Sequence, residues 1–310
     1  MFTKPFSSVY KNGTYVVLNS LNGTKRYIGQ EFKAEFPDSL DLKITEVCNH
    51  GCPFCHESST SKGKHGDLET LLNKLKGLPK GVELAIGGGN ALLHPSLESF
   101  LREVKDHFNV ALTVNVKDFR SETSRELIKR FDKEGLIRAL GVSLGDSEIN
   151  KDLSNLLDVG KCNLSVYHVI IGVTPLESLE WLIKFHTFGS QRILILGYKQ
   201  FGRASDKEIS PEIIKDWKDA ILNIYHSSIL ISGSFTTTLA FDNLALEQLG
   251  LKEHFNKDFW GEHYMGNEFT HSMYVDAVRG EYAPTSRSPF SKRVSWDSET
   301  VIEYFKKNHD

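Results

Sequence analysis

Two hydrophobic periods divide the chain. Over residues 7–29, "SSVYKNGTYVVLNSLNGTKRYIG", β-branched and aromatic residues alternate with polar ones around two Asn-Gly pairs, Asn12-Gly13 and Asn22-Gly23. Asn-Gly accepts the positive φ angles of a tight hairpin turn, so this period of two predicts a small antiparallel ribbon, an N-terminal β-hairpin appendage over residues 1–38. From Leu40 onward short apolar runs alternate with amphipathic stretches. The strand-like runs are "LDLKITEV", "VELAIGG", "VALTVNV", "IRALGVSL", "LSVYHVIIGV" and "RILILGY". Helix-like segments begin near Asp67, Pro95, Ser121, Ser147, Pro175 and Ser210, several with a capping residue or first-turn proline, as in "HPSLESFLREV" and "SPEIIKDWKDAIL". Strand and helix repeated six times imply an α/β fold with parallel pairing, either a barrel or an open doubly wound sheet, over residues 39–227. Periodicity alone does not choose between those two.

After about Ser228 the alternation stops. "ILISGSFTTTLAF" reads as a further strand, "DNLALEQLG" as a short helix, "SMYVDAVRGEYA" as a hairpin and "DSETVIEYFKKN" as a final helix. Residues 228–310 are therefore expected to form an α+β extension that closes the barrel.

Composition narrows the function classes. With 37 basic against 40 acidic residues and a formal net charge of −3, the 310-residue chain has no global attraction to nucleic acid or an anionic membrane. No stretch approaches the roughly 20 apolar residues of a membrane span, and the start lacks the basic-then-apolar order of a secretory signal, so a cytoplasmic protein is expected. Three of the four cysteines fall within "CNHGCPFCH", residues 48–56. In a reducing compartment such a cluster reads as metal-binding or catalytic, not as a disulfide framework.

Cys48, Cys52 and Cys55 directly follow the first repeated strand, on the edge where loops of parallel α/β folds converge on ligands. Three chemistries compete. A structural zinc needs a fourth ligand, and His56 adjoins Cys55 too closely to share its tetrahedron easily. A redox pair would use "CPFC" and leave Cys48 unexplained. An iron–sulfur cubane on three thiolates leaves one iron free to bind a substrate or cofactor.

The spacing Cys-x3-Cys-x2-Cys after a first strand, with aromatic Phe54 before the last cysteine, resembles the signature of the radical S-adenosylmethionine (SAM) superfamily. The segments "AFDNLALEQL" and "HSMYVDAVRGEYAPTSRS" loosely resemble single-domain members, some carried by bacteriophages. The resemblance implies a partial (β/α)6, TIM-like barrel and a [4Fe-4S] cluster on Cys48, Cys52 and Cys55 that chelates SAM through its amino and carboxylate groups. It further implies an electron donor such as flavodoxin or ferredoxin, reductive cleavage of SAM to a 5′-deoxyadenosyl radical, and hydrogen abstraction from a substrate. Phe54 would lie near the adenine. Gly88, Gly89, Asn90 and Ala91 stand in register with the superfamily's Gly-Gly-Glu-Pro segment, which receives the SAM amino group; Asn90 and Ala91 depart from it. "HVIIGV" resembles the adenine-contacting Gly-x-Ile-x-Gly segment, with Ile170 and Gly172 matching and His168 in place of the first glycine.

Polar residues at strand ends add candidates. Asn115 and Ser143, with Asp146, suit ribose hydroxyls or the SAM carboxylate, although Ser143 and Asp146 equally suit a helix cap. Tyr198, Lys199 and Arg203 after the sixth run are expected to point outward toward substrate or phosphate. Asp242, Asn243, Tyr274, Asp276 and Arg279 could close the mouth, while "SMYVDAV" also suits an ordinary half-buried strand. "APTSRSPFSKRVSW" gathers Arg287, Lys292 and Arg293 with Phe290 and Trp296, compatible with nucleic acid or with plain solvated surface. Cys162 reads as a small buried hydrophobe. His50 and His56 flank the thiols, and His94 suits the helix entry. Substrate classes left open are a nucleotide, a nucleic-acid base and a peptide; the alternative to an enzyme is a non-catalytic iron–sulfur or zinc-binding recognition module.

Overall fold

The computed structural model describes residues 6–20, 25–146, 165–184, 192–226, 238–264, 266–297 and 299–309. The predicted ribbon is a sheet of three strands, β1 (Phe6–Asn12), β2 (Tyr15–Ser20) and β3 (Lys25–Ile28), one more than a hairpin. Asn12-Gly13 makes its first turn, with Gly13 at φ 55°, whereas Asn22-Gly23 lies outside the described residues. Three further features fix this small sheet to the rest of the chain. Lys25 Nζ pairs with Glu83 at 2.7 Å, Asn19 Nδ2 donates to the Gly81 carbonyl at 3.0 Å, and the fully buried Asp38 accepts from Tyr10 Oη, Asn12 Nδ2 and Tyr15 Oη. A buried carboxylate held by three donors is a satisfied one, so the appendage forms a floor joined to the core by polar bonds.

The six apolar runs become β4 (Ser39–Thr45), β5 (Glu83–Gly88), β6 (Asn109–Asn115), β7 (Ala139–Ser143), β8 (Ser165–Ile170) and β9 (Arg192–Leu196). Each is parallel to the next in sequence. Parallel neighbours need crossovers, which α1 (Leu68–Lys74), α2 (Leu97–Val104), α3 (Glu122–Lys133) and α4 (Leu176–Lys184) provide, with α5 (Pro211–His226) after β9. Asp67 and Ser121 cap α1 and α3 as their positions predict. The helix expected near Ser147, and Cys162, fall outside the described residues.

Alternation along each strand sorts the two faces. Leu42, Ile86, Leu112, Val142, Val169 and Ile195 are buried in one cluster with Phe100 and Leu101 of α2, Phe131 of α3 and Leu179 of α4. Each such side chain contributes about 1.5–3 kcal/mol on burial. The opposite, inward face carries polar or small residues: Asp41, Lys43, Ala85, Thr113, Gly141 and His168 among them. A sheet whose helix-free face is small and polar encloses a recess for a ligand.

The C-terminal segment extends both edges of this sheet. β10 (Thr238–Phe241) adds in parallel to β9, and α6 (Asn243–Leu249) and α7 (Lys257–His263) come after it. β11 (Ser272–Asp276) adds in parallel to β4, continued antiparallel by β12 (Glu281–Ala283) and β13 (Val294–Ser295). The ten strands run β10-β9-β8-β7-β6-β5-β4-β11-β12-β13, and among the described residues the ends are not bonded to each other. The sheet is thus a partial barrel left open. α8 (Val301–Asn308), capped reciprocally by Thr300 and Glu303, buries Val301, Tyr304 and Phe305.

Candidate active site at the barrel mouth

Cys48, Cys52 and Cys55 lie on a loop that leaves β4 and returns beside it. Cys48 N donates to Thr60 O at 2.9 Å, and Thr60 N to Glu46 O at 3.1 Å, closing residues 48–60 at the base. Within the loop Cys55 N donates to Cys52 O and Ser58 N to Cys55 O, each at 3.2 Å. The segment after β9 grips it from the far side of the barrel. Arg203 gives its backbone N–H to Cys55 O (3.1 Å), Nε to Cys52 O (2.9 Å) and Nη1 to Ser59 O (2.9 Å). Gly202, at φ 59°, lies so close that a Cβ there would stand 2.5 Å from His56 O, which only glycine avoids. Arg203 and Gly202 are therefore positioning groups for the thiol loop, and the expectation that Arg203 points outward is corrected.

All three cysteines are free and half-buried. Burial pushes the Cys52 thiol up; Lys117 opposes that shift, while Cys48 and Cys55 add to it. No group of three His, Cys, Asp or Glu side chains among the described residues converges on a single metal ion. One tetrahedral zinc would draw its sulfurs to about 2.3 Å from a common centre, whereas a cubane binds each thiolate through a different iron. Five buried side-chain polar atoms lack a partner among the described residues, and two of them, Arg203 Nη2 and Ser59 Oγ, belong to this loop or its clamp. An unpaired buried guanidinium N–H costs about 1–3 kcal/mol. An anionic cluster beside it offsets that cost, so the donor set fits an iron–sulfur cluster.

Below the loop, Lys43 is almost fully buried between three carboxylates, Glu46 and Glu57 at 2.9 Å and Asp276 at 3.1 Å. Burial pulls the Lys43 pKa down, but Glu57 and Asp276 outweigh it and hold the ammonium above its ordinary range. Burial pushes Glu57 up, yet His56, Lys43 and the Tyr274 hydroxyl, which donates at 3.0 Å, bring it below the usual carboxylate range. This network joins β4, the cysteine loop and β11. Tyr274 and Asp276 thus act within it and not as free mouth groups.

The glycine run has two roles. A Cβ on Gly88 would lie 2.5 Å from Thr45 O, and one on Gly89 would strike Val47 O, so these two let the chain hug β4's extension. Gly89 N and Asn90 N continue that pairing, donating to Thr45 O (2.7 Å) and Val47 O (2.8 Å). Gly87 alone meets no atom within 4 Å and leaves an open stretch of wall. Asn90 is buried, caps residues 91–93 and donates Nδ2 to Asp118 (2.8 Å) and Asn49 (3.1 Å). His50 Nε2 completes this group at 3.0 Å from Asp118. His94 secures the helix entry by accepting from Ser96 N and meeting Gly66 O.

Asn115, Ser143 and His168 are register partners on β6, β7 and β8, so they form one row across the inner wall. Asn115 also caps the following turn with Asp118. The His168 imidazole occupies the space over Gly141 that any Cβ would fill. Burial pulls its pKa down to about 4, so the ring is neutral at pH 7. Phe54's ring touches Gly145, Ile170 ends β8, and Gly172 turns at φ 70° against Ile209. Asp146 pairs with Lys117 at 3.1 Å.

The remaining substrate candidates divide. Lys199 reaches Ser286 Oγ at 2.9 Å and has no carboxylate partner among the described residues. Tyr198 is 5% exposed and directs its hydroxyl to Ala204 O at 3.4 Å, a correction to its expected outward position. Asp242 caps α6 and accepts from Gly197 N at 2.9 Å; Asn243 donates to Gly266 O at 3.2 Å. Both stabilise the end of the sheet. Within the basic–aromatic run Arg293 and Trp296 are turned inward, whereas Phe290 and Lys292 are exposed. Arg293 pairs with Asp276 and stacks on Tyr274 and Phe290, Arg279 stacks on Phe290, Arg287 pairs with Glu268, and Trp296 is buried against Gly280. These arginines each have an acidic or aromatic partner within the fold. Lys43, Glu57, Gly202 and Asp41 belong to no sequence motif; the polar beat of Asp41 and Lys43 between Leu40, Leu42 and Ile44 is the signal that marks two of them.

A curved parallel sheet with three free thiols on the loop after its first strand defines a radical SAM-type partial barrel. The family model for the radical SAM superfamily matches residues 42–154, and this segment is a radical SAM domain. Members of that superfamily use a [4Fe-4S] cluster and SAM, and the match of this segment supports an enzyme. No curated protein matches the chain. Among solved structures, SuiB of Streptococcus suis bound to its precursor peptide SuiA matches at TM-score 0.64 and 12% identity, covering 89% of this chain and 66% of SuiB. SuiB bound to SAM matches at 0.65 and 13%, covering 89% and 67%. Native anSMEcpe with bound AdoMet matches at 0.61 and 12%, covering 87% and 81%. These likenesses concern the fold. No described helix is long and apolar enough to cross a membrane.

Proposed function

We propose that Cys48, Cys52 and Cys55 hold the [4Fe-4S] cluster and that the enzyme acts on a peptide. The observation that carries the cluster assignment is the three free thiols on one closed loop at the carboxyl end of β4, within the matched domain. Bound there, a cluster and SAM would supply one-electron reductive chemistry and hydrogen-atom abstraction from the substrate, with the electron drawn from a flavodoxin- or ferredoxin-type donor. The chain's own residues hold and orient. Arg203 and Gly202 fix the loop, and Lys43 ties it to β4 and β11. Gly88 and Gly89 bring the Asn90 turn against the loop, where backbone carbonyls would accept from the SAM ammonium. Asn115 and Ser143 offer hydrogen bonds to the ribose or carboxylate, and Phe54, Ile170 and Gly172 flank the adenine.

Support for a peptide comes from the likeness to SuiB bound to SuiA and to anSMEcpe, also solved with the peptide Cp18Cys. The test is anaerobic reconstitution, chemical reduction and SAM, with and without a defined peptide library. Release of 5′-deoxyadenosine that a subset of peptides accelerates supports the reading; release accelerated only by nucleotides or oligonucleotides removes the peptide.

A further inference from the structure

Asp41 lies on the inward face of β4, between Leu40 and Leu42, which are buried on the helix side. Its register partners are Tyr274 on β11 and Ala85 on β5. From Ala85 the same row continues through Ala111 on β6 to Ala139 on β7. One row nearer the mouth, Gly87 also lacks a side chain and a Cβ there would meet no atom within 4 Å, whereas the His168 ring covers Gly141. Along β5 the wall is therefore hollowed down to a row of alanines with a carboxylate at its head. Thr45 at the rim lies four positions beyond Asp41, a depth of roughly 13 Å at about 3.3 Å per residue.

The carboxylate there has no partner. Among the described residues no hydrogen bond or ion pair reaches Asp41, whereas its acidic neighbours are satisfied: Glu83 by Lys25, Asp276 and Glu57 by Lys43, and Asp242 by two backbone N–H groups. Solvent reaches Asp41, yet surrounding protein desolvates it enough to push its carboxyl up, against the pull of Lys199. Both conditions hold together in a recess that is open at one end. An unpaired carboxylate in such a recess destabilises the fold, and a binding role explains its retention.

We propose that Asp41 recognises a cationic group of the substrate, a protonated amine or guanidinium carried on a flexible aliphatic arm that lies along the Ala85–Ala111–Ala139 row. Resting on the peptide reading, this makes a lysine or arginine side chain the anchor. A carboxylate at the end of an apolar slot suits that shape, because the methylenes cover the alanines while the charge meets the Asp41 carboxylate.

Binding of acetylated pentapeptides to the reconstituted, SAM-loaded protein tests this under anaerobic conditions. Peptides with a central lysine or arginine are expected to bind at least tenfold tighter than those with norleucine or citrulline. Asp41→Asn should abolish the preference and Asp41→Glu keep part of it. Asp41→Asn should also raise the melting temperature, since it removes a desolvated charge; a merely structural Asp41 would lower it. A parallel series with 1-aminopentane against 1-pentanol, read by saturation-transfer NMR, removes the peptide from the question. Amine preference lost in Asp41→Asn without any peptide binding overturns the peptide reading and leaves the Asp41 assignment standing. Peptide binding with no charge preference, or a preference that survives in Asp41→Asn, overturns the assignment.

Discussion

Replacing Arg203 by methionine removes the clamp on the cysteine loop while preserving the bulk of the side chain. Two hydrogen bonds are lost, Nε to Cys52 O and Nη1 to Ser59 O, both at 2.9 Å, and the backbone bond to Cys55 O remains. Hydrogen bonds from a charged donor contribute about 1.5–3 kcal/mol each. Taking the low end for both, the loop opens at about 3 kcal/mol less, which on the tenfold-per-1.4 kcal/mol scale is on the order of 100-fold in local opening. Hydrogen exchange on the reduced, metal-free protein reads this directly, because the Cys48, Cys55 and Ser58 amides are all bonded within the loop. Their exchange should accelerate by that factor in Arg203→Met and by on the order of tenfold in Arg203→Lys, which keeps the charge but reaches one carbonyl. The sheet amides of Leu42 and Leu112 should be unchanged. Unaltered exchange at 48–60 in Arg203→Met would show that the clamp is not what holds the thiols.

Buried charge sets two other expectations. Lys43→Met leaves Glu46, Glu57 and Asp276 without their cation and should cost about 3–5 kcal/mol in denaturant unfolding, with a loss below about 1 kcal/mol counting against the network. Glu57 sits below and Lys43 above their ordinary values of 4.5 and 10.5, so the pair's stabilisation is full between those pH values and is lost as acid protonates Glu57 or base deprotonates Lys43. His168 should titrate near 4 by NMR, its stabilising neutral form being complete above 6.5 and lost as the pH falls toward 4; a midpoint near 6.5 would place the ring in bulk solvent instead of the recess.

The strands were legible because Leu42, Ile86, Leu112 and their counterparts repeat with the period of a buried sheet, and the caps Asp67 and Ser121 punctuate the helices between them. The thiol loop was legible from spacing. What stayed hidden depends on register and long-range contact. Gly202 and Arg203 meet Cys55 across some 150 positions of chain, and nothing local distinguishes a clamp from an exposed arginine. The pairing of β11 with β4, which brings Asp276 to Lys43, joins residues more than 200 positions apart. Tyr198, Asp242 and Arg293 resembled surface chemistry because each is polar at a strand or loop end, and only the folded turns bring them to Ala204, Gly197 and Asp276. Asn90, in register with the segment that receives the SAM amino group, gives its side-chain amide to Asp118 and Asn49 and caps the following turn, contacts that spacing alone does not reveal. Asp41 carried a readable hint, a carboxylate alternating with leucines, but only the alanine row opposite gives it meaning.

The central claim is that the 48–60 loop binds a cluster with an iron open to SAM. Electron paramagnetic resonance of the anaerobically reconstituted, reduced protein tests it most directly. The account predicts on the order of four irons per chain, a reduced-cluster signal that shifts when SAM is added, and loss of both in Cys48→Ala, Cys52→Ala or Cys55→Ala but not in Cys162→Ala. A stable cluster whose signal ignores SAM, or one that survives removal of any of the three loop thiols, would contradict it.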